Sequence, residues 1–376
     1  GGLLRPCDRH PAARPGRQPS VSRPAPIIGL VLLGCVASTA FATEDVPAPA
    51  ATAGAVQEPA IAGPSCGTRA AAARPLATDI GPKTVEFETS PFPYRGTIPG
   101  EDKPFMDVVK GDRHGHTSPR GSLHWEDENY TDRQTLLYLP KGFDLSRPAL
   151  IVVFFHGNHV RLMRDVHARQ QVPRQLAATK LNAALVAPQF ALDVADSSAG
   201  RFWEPGIFKQ FLAEAARHLA GLYGYPCEQS KFDAMKVVLV AYSGGYDPAA
   251  YALDVGDAND RVFGVVLLDA LYGETDKFDK WIGERGSAFF FSAYSESSRP
   301  ENLVLQRSLT DRHVELSPPN PLRLTERSVT FLATGPGIQH NDFVTQAWVR
   351  NPLTAVLSGI EGFRQPKRQP RGSARP

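Results

Sequence analysis

Lys236-Val237-Val238-Leu239-Val240-Ala241-Tyr242-Ser243-Gly244-Gly245 is the stretch on which the reading of this chain turns. Its first part is an apolar, valine-rich run without polar alternation, which suits a strand covered on both faces. Comparable runs lie on either side of it, at Thr135–Leu139, Leu150–Phe155, Ala184–Ala187, Val262–Leu268, Phe289–Ala293 and Val329–Ala333. Helical periodicity separates them. The clearest case is Pro205–Leu222, where Phe208, Phe211, Leu212, Ala215, Leu219 and Leu222 recur at three- and four-residue steps. A further helix is expected over roughly Phe343–Ser358. Strands apolar on both faces that alternate with helices predict an α/β fold in one domain, a mostly parallel central sheet with helices on both faces.

The end of the quoted stretch, Ala241-Tyr242-Ser243-Gly244-Gly245, is Ala-x-Ser-x-Gly running from a strand into a helical segment. It resembles the nucleophile elbow of α/β-hydrolases, with alanine where the first glycine is usual. Such a turn needs small residues two places either side of the serine, because it brings those positions together while lifting the hydroxyl clear. The run Pro148–Phe155 ends at His156-Gly157-Asn158, which resembles the His-Gly element that follows an early strand in that family. The resemblance implies an oxyanion hole made by the backbone amides of Asn158 and Gly244. A third element, Val329–Ala333 followed by Gly335-Pro336-Gly337-Ile338-Gln339-His340, puts a histidine after the last strand, where the family keeps its base. The resemblance spans roughly Thr84–Phe363. Gln134–Pro140 is also similar to secreted esterases and polyester depolymerases.

Ser243 and His340 are thus expected to be nucleophile and base. Two acids are open as the third member: Asp269, at the end of the strand after the nucleophile, and Glu296, one strand later. The resemblance implies hydrolysis of a carboxylic ester, small or polymeric, through an acyl-enzyme, with no metal or organic cofactor. Peptide or amide cleavage by the same residues, and a non-catalytic envelope binding protein of the same fold, are the alternatives. Pro188–Asp196, with Phe202 and Trp203, is expected near the site, either as an acyl pocket with Asp193 and Asp196 facing a cationic group or as a packed, solvated loop.

The composition of the 376 residues limits other functions. With 41 basic and 39 acidic residues, the net charge of +2 offers no field for a polyanion, which argues against nucleic acid as a partner. His114, His116 and His124 read as solvated or structural, since the His114/His116 pair lacks further ligand spacing for a metal. Ile27–Phe41 is too short an apolar run for a membrane span of about 20 residues and suits a signal-peptide core. Cleavage after Ala42, at Ala40-Phe41-Ala42, gives a secreted or periplasmic protein beginning at Thr43. The competing lipobox-like Leu32-Leu33-Gly34-Cys35 would instead tie a lipidated Cys35 to a membrane, the one route to a membrane partner. Removing the leader leaves Cys66 and Cys227, as a disulfide or as two thiols. The expected organisation is an upstream segment with leader over 1–42, an Ala/Pro-rich linker over 43–83, the hydrolase domain over 84–363, and a disordered basic tail over 364–376.

Overall fold

The computed structural model describes residues 80–365 except 285, 320 and 321. The leader with Cys35 and Ala42, the linker up to residue 79, Cys66, and the tail from residue 366 lie outside the described residues. Eleven strands are present among the described residues: β1 Ile80–Glu86, β2 Val108–Lys110, β3 Arg113–Thr117, β4 Leu123–Trp125, β5 Gln134–Leu139, β6 Leu150–Phe155, β7 Ala183–Pro188, β8 Lys236–Tyr242, β9 Val262–Leu268, β10 Phe289–Tyr294 and β11 Val329–Ala333. Eight of them form one sheet in the order β1-β5-β7-β6-β8-β9-β10-β11. From β7 to β11 every pairing is parallel. β1 and β5 run antiparallel at one edge.

The two-sided apolar strands explain the layering. In β8, Val237, Leu239 and Ala241 face one buried cluster, which also holds Phe208, Phe211, Leu212, Ala215 and Leu219 of helix Ile207–Tyr223. Val238, Val240 and Tyr242 face the other, with Leu176 of helix Val172–Ala178 and Leu353, Val356 and Leu357 of helix Pro352–Ser358. The expected sheet with helices on both faces is therefore what the chain forms. Each fully buried large side chain of this kind contributes about 1.5–3 kcal/mol.

Several boundaries differ from the sequence reading. β1 begins at Ile80, so residues 80–83 belong to the sheet and not to the linker; Lys83 pairs with Leu137 across the β5 edge. Arg364 and Gln365 are likewise attached, through the Leu181–Arg364 bridge and a bond from the Gln365 amide to the Lys180 carbonyl of 2.8 Å. The helix expected over Phe343–Ser358 is broken. A 3-10 turn covers His340–Val344, and the α-helix spans only Pro352–Ser358. Pro352 disfavours helical geometry at Asn351, which takes the left-handed φ of 59° and serves as a helix start. The three-stranded sheet β2-β3-β4 was not foreseen.

Candidate active site

β8 delivers Ser243 at the carboxyl edge of the parallel sheet, between β6 and β9. The chain turns sharply there. Ser243 has φ +55°, and helix Tyr246–Asp254 starts three residues later. Left-handed geometry is unfavourable for a serine and is held by close packing on both sides. A Cβ on Gly157 would lie 2.5 Å from that of Ser243, and one on Gly245 would collide with the Phe155 carbonyl. The Ala-x-Ser-x-Gly pattern is thus a steric requirement at its last position. Ala241 fits within the buried core. A parallel sheet feeding a strained serine turn into a helix is the architecture the resemblance implied.

The fold is of the α/β-hydrolase type.

Around this elbow three side chains converge. His340 Nε2 lies 2.7 Å from Ser243 Oγ, and His340 Nδ1 lies 2.6 Å from Asp269 Oδ2. The 3-10 turn that carries His340 is fixed by a reciprocal cap between Gln339 and Asp342. Tyr242 adds to this: its ring stacks on the imidazole at 5.0 Å, and its hydroxyl donates to Asn341 Oδ1 at 3.1 Å. Tyr272 closes the other side, its hydroxyl 3.2 Å from Asp269 Oδ2.

Asp269 follows β9 directly and is fully buried. Its φ of +45° is one that aspartate tolerates better than most residues. It accepts hydrogen bonds from the Ser295 amide at 2.9 Å, the Ser295 hydroxyl at 2.9 Å and the Ser298 hydroxyl. Burial pushes its carboxyl up, but the bonds from His340, Ser298 and Ser295 outweigh that and hold the pKa at about 2. An ionised carboxylate requires the proton of His340 on Nδ1, leaving Nε2 free to accept from Ser243. Glu296 is not brought to this cluster. Its side chain is exposed and pairs with Arg299 at 2.7 Å, because the chain has left β10 and turned outward by that point.

Asn158 and Gly244 line the wall beside Ser243. Asn158 belongs to a loop held by His156, a residue whose part the sequence reading did not separate from the family pattern. His156 is fully buried, and its Nε2 accepts from the Phe190 amide at 2.9 Å. Its Nδ1 therefore carries the proton and donates to the Gly157 carbonyl at 2.7 Å. Burial lowers its pKa to about 4, so the ring stays neutral as a structural strut.

A cavity of about 820 Å3 opens over Ser243 and His340, with Trp203, Tyr246, Tyr251 and Tyr272 among its walls. Of the residues expected here, Trp203 lines it, whereas Phe202 is buried in the core. Asp193 does not face a guest. Hydrogen bonds from Arg164 and Arg161 hold it at about 2. Asp196 reaches the cavity wall but accepts from Tyr130 and Ser198, at 2.6 and 2.7 Å. Asp247 is a further acid in the wall. It had no sequence signal beyond its place four residues after Ser243. His116 is buried and stacked on Phe105 at 4.0 Å. Among the described residues no group of three or more His, Cys, Asp or Glu side chains is placed to hold a metal.

No family model matches the chain, and no curated protein does. Solved structures are similar to it at low identity. A mutant of the feruloyl esterase module from Clostridium thermocellum, complexed with sinapinate, is 14% identical over 74% of this chain and 99% of its own, with TM-score 0.42. An S-formylglutathione hydrolase from Agrobacterium tumefaciens is 10% identical over 63% and 92%, with TM-score 0.35. An IroE-like serine hydrolase from Shewanella oneidensis is 13% identical over 66% and 78%, with TM-score 0.33. Likeness at this level says nothing about substrate.

Proposed function

We propose that this protein is a serine hydrolase that cleaves carboxylic esters through an acyl-enzyme. The observation that carries the reading is the continuous relay from Asp269 through His340 to Ser243. His340 Nε2 takes the Ser243 proton as Oγ attacks the ester carbonyl carbon. Negative charge then develops on the carbonyl oxygen, and the amides of Asn158 and Gly244 are the donors assigned to it. Collapse expels the alcohol, protonated by His340, and leaves the acyl group on Ser243. Water, deprotonated by the same nitrogen, then releases the acid. Asp269 keeps the imidazole in the required tautomer and stabilises its charged form throughout.

A further observation agrees with an exported enzyme. Cys227 is disulfide-bonded, which belongs to an oxidising compartment. No helix among the described residues is long and apolar enough to cross a membrane. The test is covalent labelling with a fluorophosphonate probe. Mass spectrometry should find the adduct on Ser243 alone, and its loss in Ser243→Ala; absence of labelling in the unaltered protein removes the assignment.

A further inference from the structure

Two lobes of open space meet at Ser243. The second, of about 450 Å3, is bounded by Arg120, His159, Asp165 and Arg169. Arg120, Asn158, Ser243 and His340 border both lobes. Their charges are not balanced alike. In the larger lobe the acids have partners already: Glu274 pairs with Lys277, Asp196 accepts from Tyr130, and Asp247 accepts from the Ala199 amide. The cation that its aromatic wall suits is also present, since Lys277 Nζ sits 4.7 Å over the Tyr251 ring.

In the smaller lobe the excess is positive. Its lining holds two guanidinium groups, Arg120 and Arg169, and one carboxylate, Asp165, which Arg164 also pairs with from outside the lobe. Arg169 meets Asp165 through Nε at 2.9 Å, which leaves its terminal nitrogens for another acceptor. Arg120 comes from the turn between β3 and β4, and among the described residues it has no ion-pair or hydrogen-bond partner. An arginine without an acid, beside a second with spare donors and next to the reacting serine, is matched to a planar anion.

We propose that the smaller lobe is an anion subsite in which Arg120 and Arg169 bind a carboxylate borne by the ester substrate. The preferred substrates are then half-esters of diacids or esters of hydroxy acids, not neutral esters. This deepens the serine-hydrolase reading and rests on it for turnover only.

The experiment uses two matched pairs of esters. 4-Nitrophenyl butyrate and the mono-4-nitrophenyl ester of glutaric acid place the carboxylate on the acyl side; phenyl acetate and 4-acetoxybenzoate place it on the leaving side. One charged ester should exceed its neutral partner in kcat/KM by about tenfold or more. Arg120→Ala should lower that ratio about tenfold, Arg120→Lys should recover part of it, and added salt should erode it. Arg169→Lys, which keeps the charge beside Asp165 but loses the fork, should lower the ratio as well. Binding of the same four esters to Ser243→Ala, followed by calorimetry, should rank them in the same order. Charged and neutral esters that bind alike, or a ratio unmoved by Arg120→Ala, overturn the subsite. A charged preference kept in binding without turnover of any ester supports the subsite and removes the hydrolase reading alone.

Discussion

Ser243 Oγ and His340 Nε2 lie 2.7 Å apart although 97 residues separate them in the chain. One is placed by the end of β8 and the other by a capped turn beyond β11. If this contact is catalytic, Ser243→Ala and His340→Ala should each lower kcat on a short aryl ester by roughly a thousandfold to a millionfold. The double variant should be little worse than either single one, because the two act as a unit. Additive losses measured by steady-state kinetics would count against a shared step.

Asp269 presents a sharper test, because its replacement keeps the shape and changes only the proton. Asp269→Asn should reduce kcat by about ten-thousandfold, the effect expected when the imidazole is held in the wrong tautomer. Glu296→Gln should leave kcat within about twofold, as expected for an exposed pair of small worth. Circular dichroism and urea unfolding accompany the assay, so that a folding defect in Asp269→Asn is told apart from a tautomer effect. The opposite kinetic pattern would give the role to Glu296.

Much of this was legible because it is local. β6, β8, β9 and β11 are apolar on both faces, and each ends in a residue or loop with chemistry attached: Gly157, Ser243, Asp269 and the loop of His340. Choosing between Asp269 and Glu296 needed the third dimension. The relevant mark was the serine run Ser295, Ser297 and Ser298, which has no meaning until β10 lies beside β9 and all three hydroxyls reach Asp269. β1 and the sheet β2-β3-β4 were missed because they are polar and mostly short, with Lys83, Glu86, Arg113 and His114 in place of an apolar run. The Arg120 turn belongs to that same unforeseen sheet.

Asp247 supplies a pH prediction. Burial, with the nearby charge of Glu274, pushes its carboxyl up to about 8, against the bond from the Ala199 amide. The unfolded chain loses this proton near about 3.9. Between those values the folded state holds a proton that the unfolded state has lost, so stability falls as pH rises, by at most about 1.4 kcal/mol per pH unit. Asp247→Asn carries no such proton. Its stability relative to the unaltered protein should therefore increase from pH 5 to pH 8 and level off above. Urea midpoints at several pH values check this, and a constant difference across the range would contradict the raised value.

Gly245 and Gly221 allow one substitution to be tested with opposite expected signs. A Cβ on Gly245 would collide with the Phe155 carbonyl oxygen and lie 2.8 Å from its carbon. That carbonyl belongs to the end of β6, where Phe155 is paired with Ala241 of β8, so it cannot retreat without disturbing the strands that position Ser243 and the Asn158 loop. Gly221 sits inside helix Ile207–Tyr223 with no heavy atom within 4 Å of an added Cβ. Gly245→Ala should cost about 2–3 kcal/mol by overpacking against rigid backbone. Whatever folds should show a lowered kcat, since the elbow has moved. Gly221→Ala should gain up to about 1 kcal/mol from helix propensity with kcat unchanged. Urea unfolding and ester turnover on both variants read the two effects. A Gly245→Ala protein as stable and active as the unaltered one would mean that the close approach of β6 to the elbow is not what holds the serine in place.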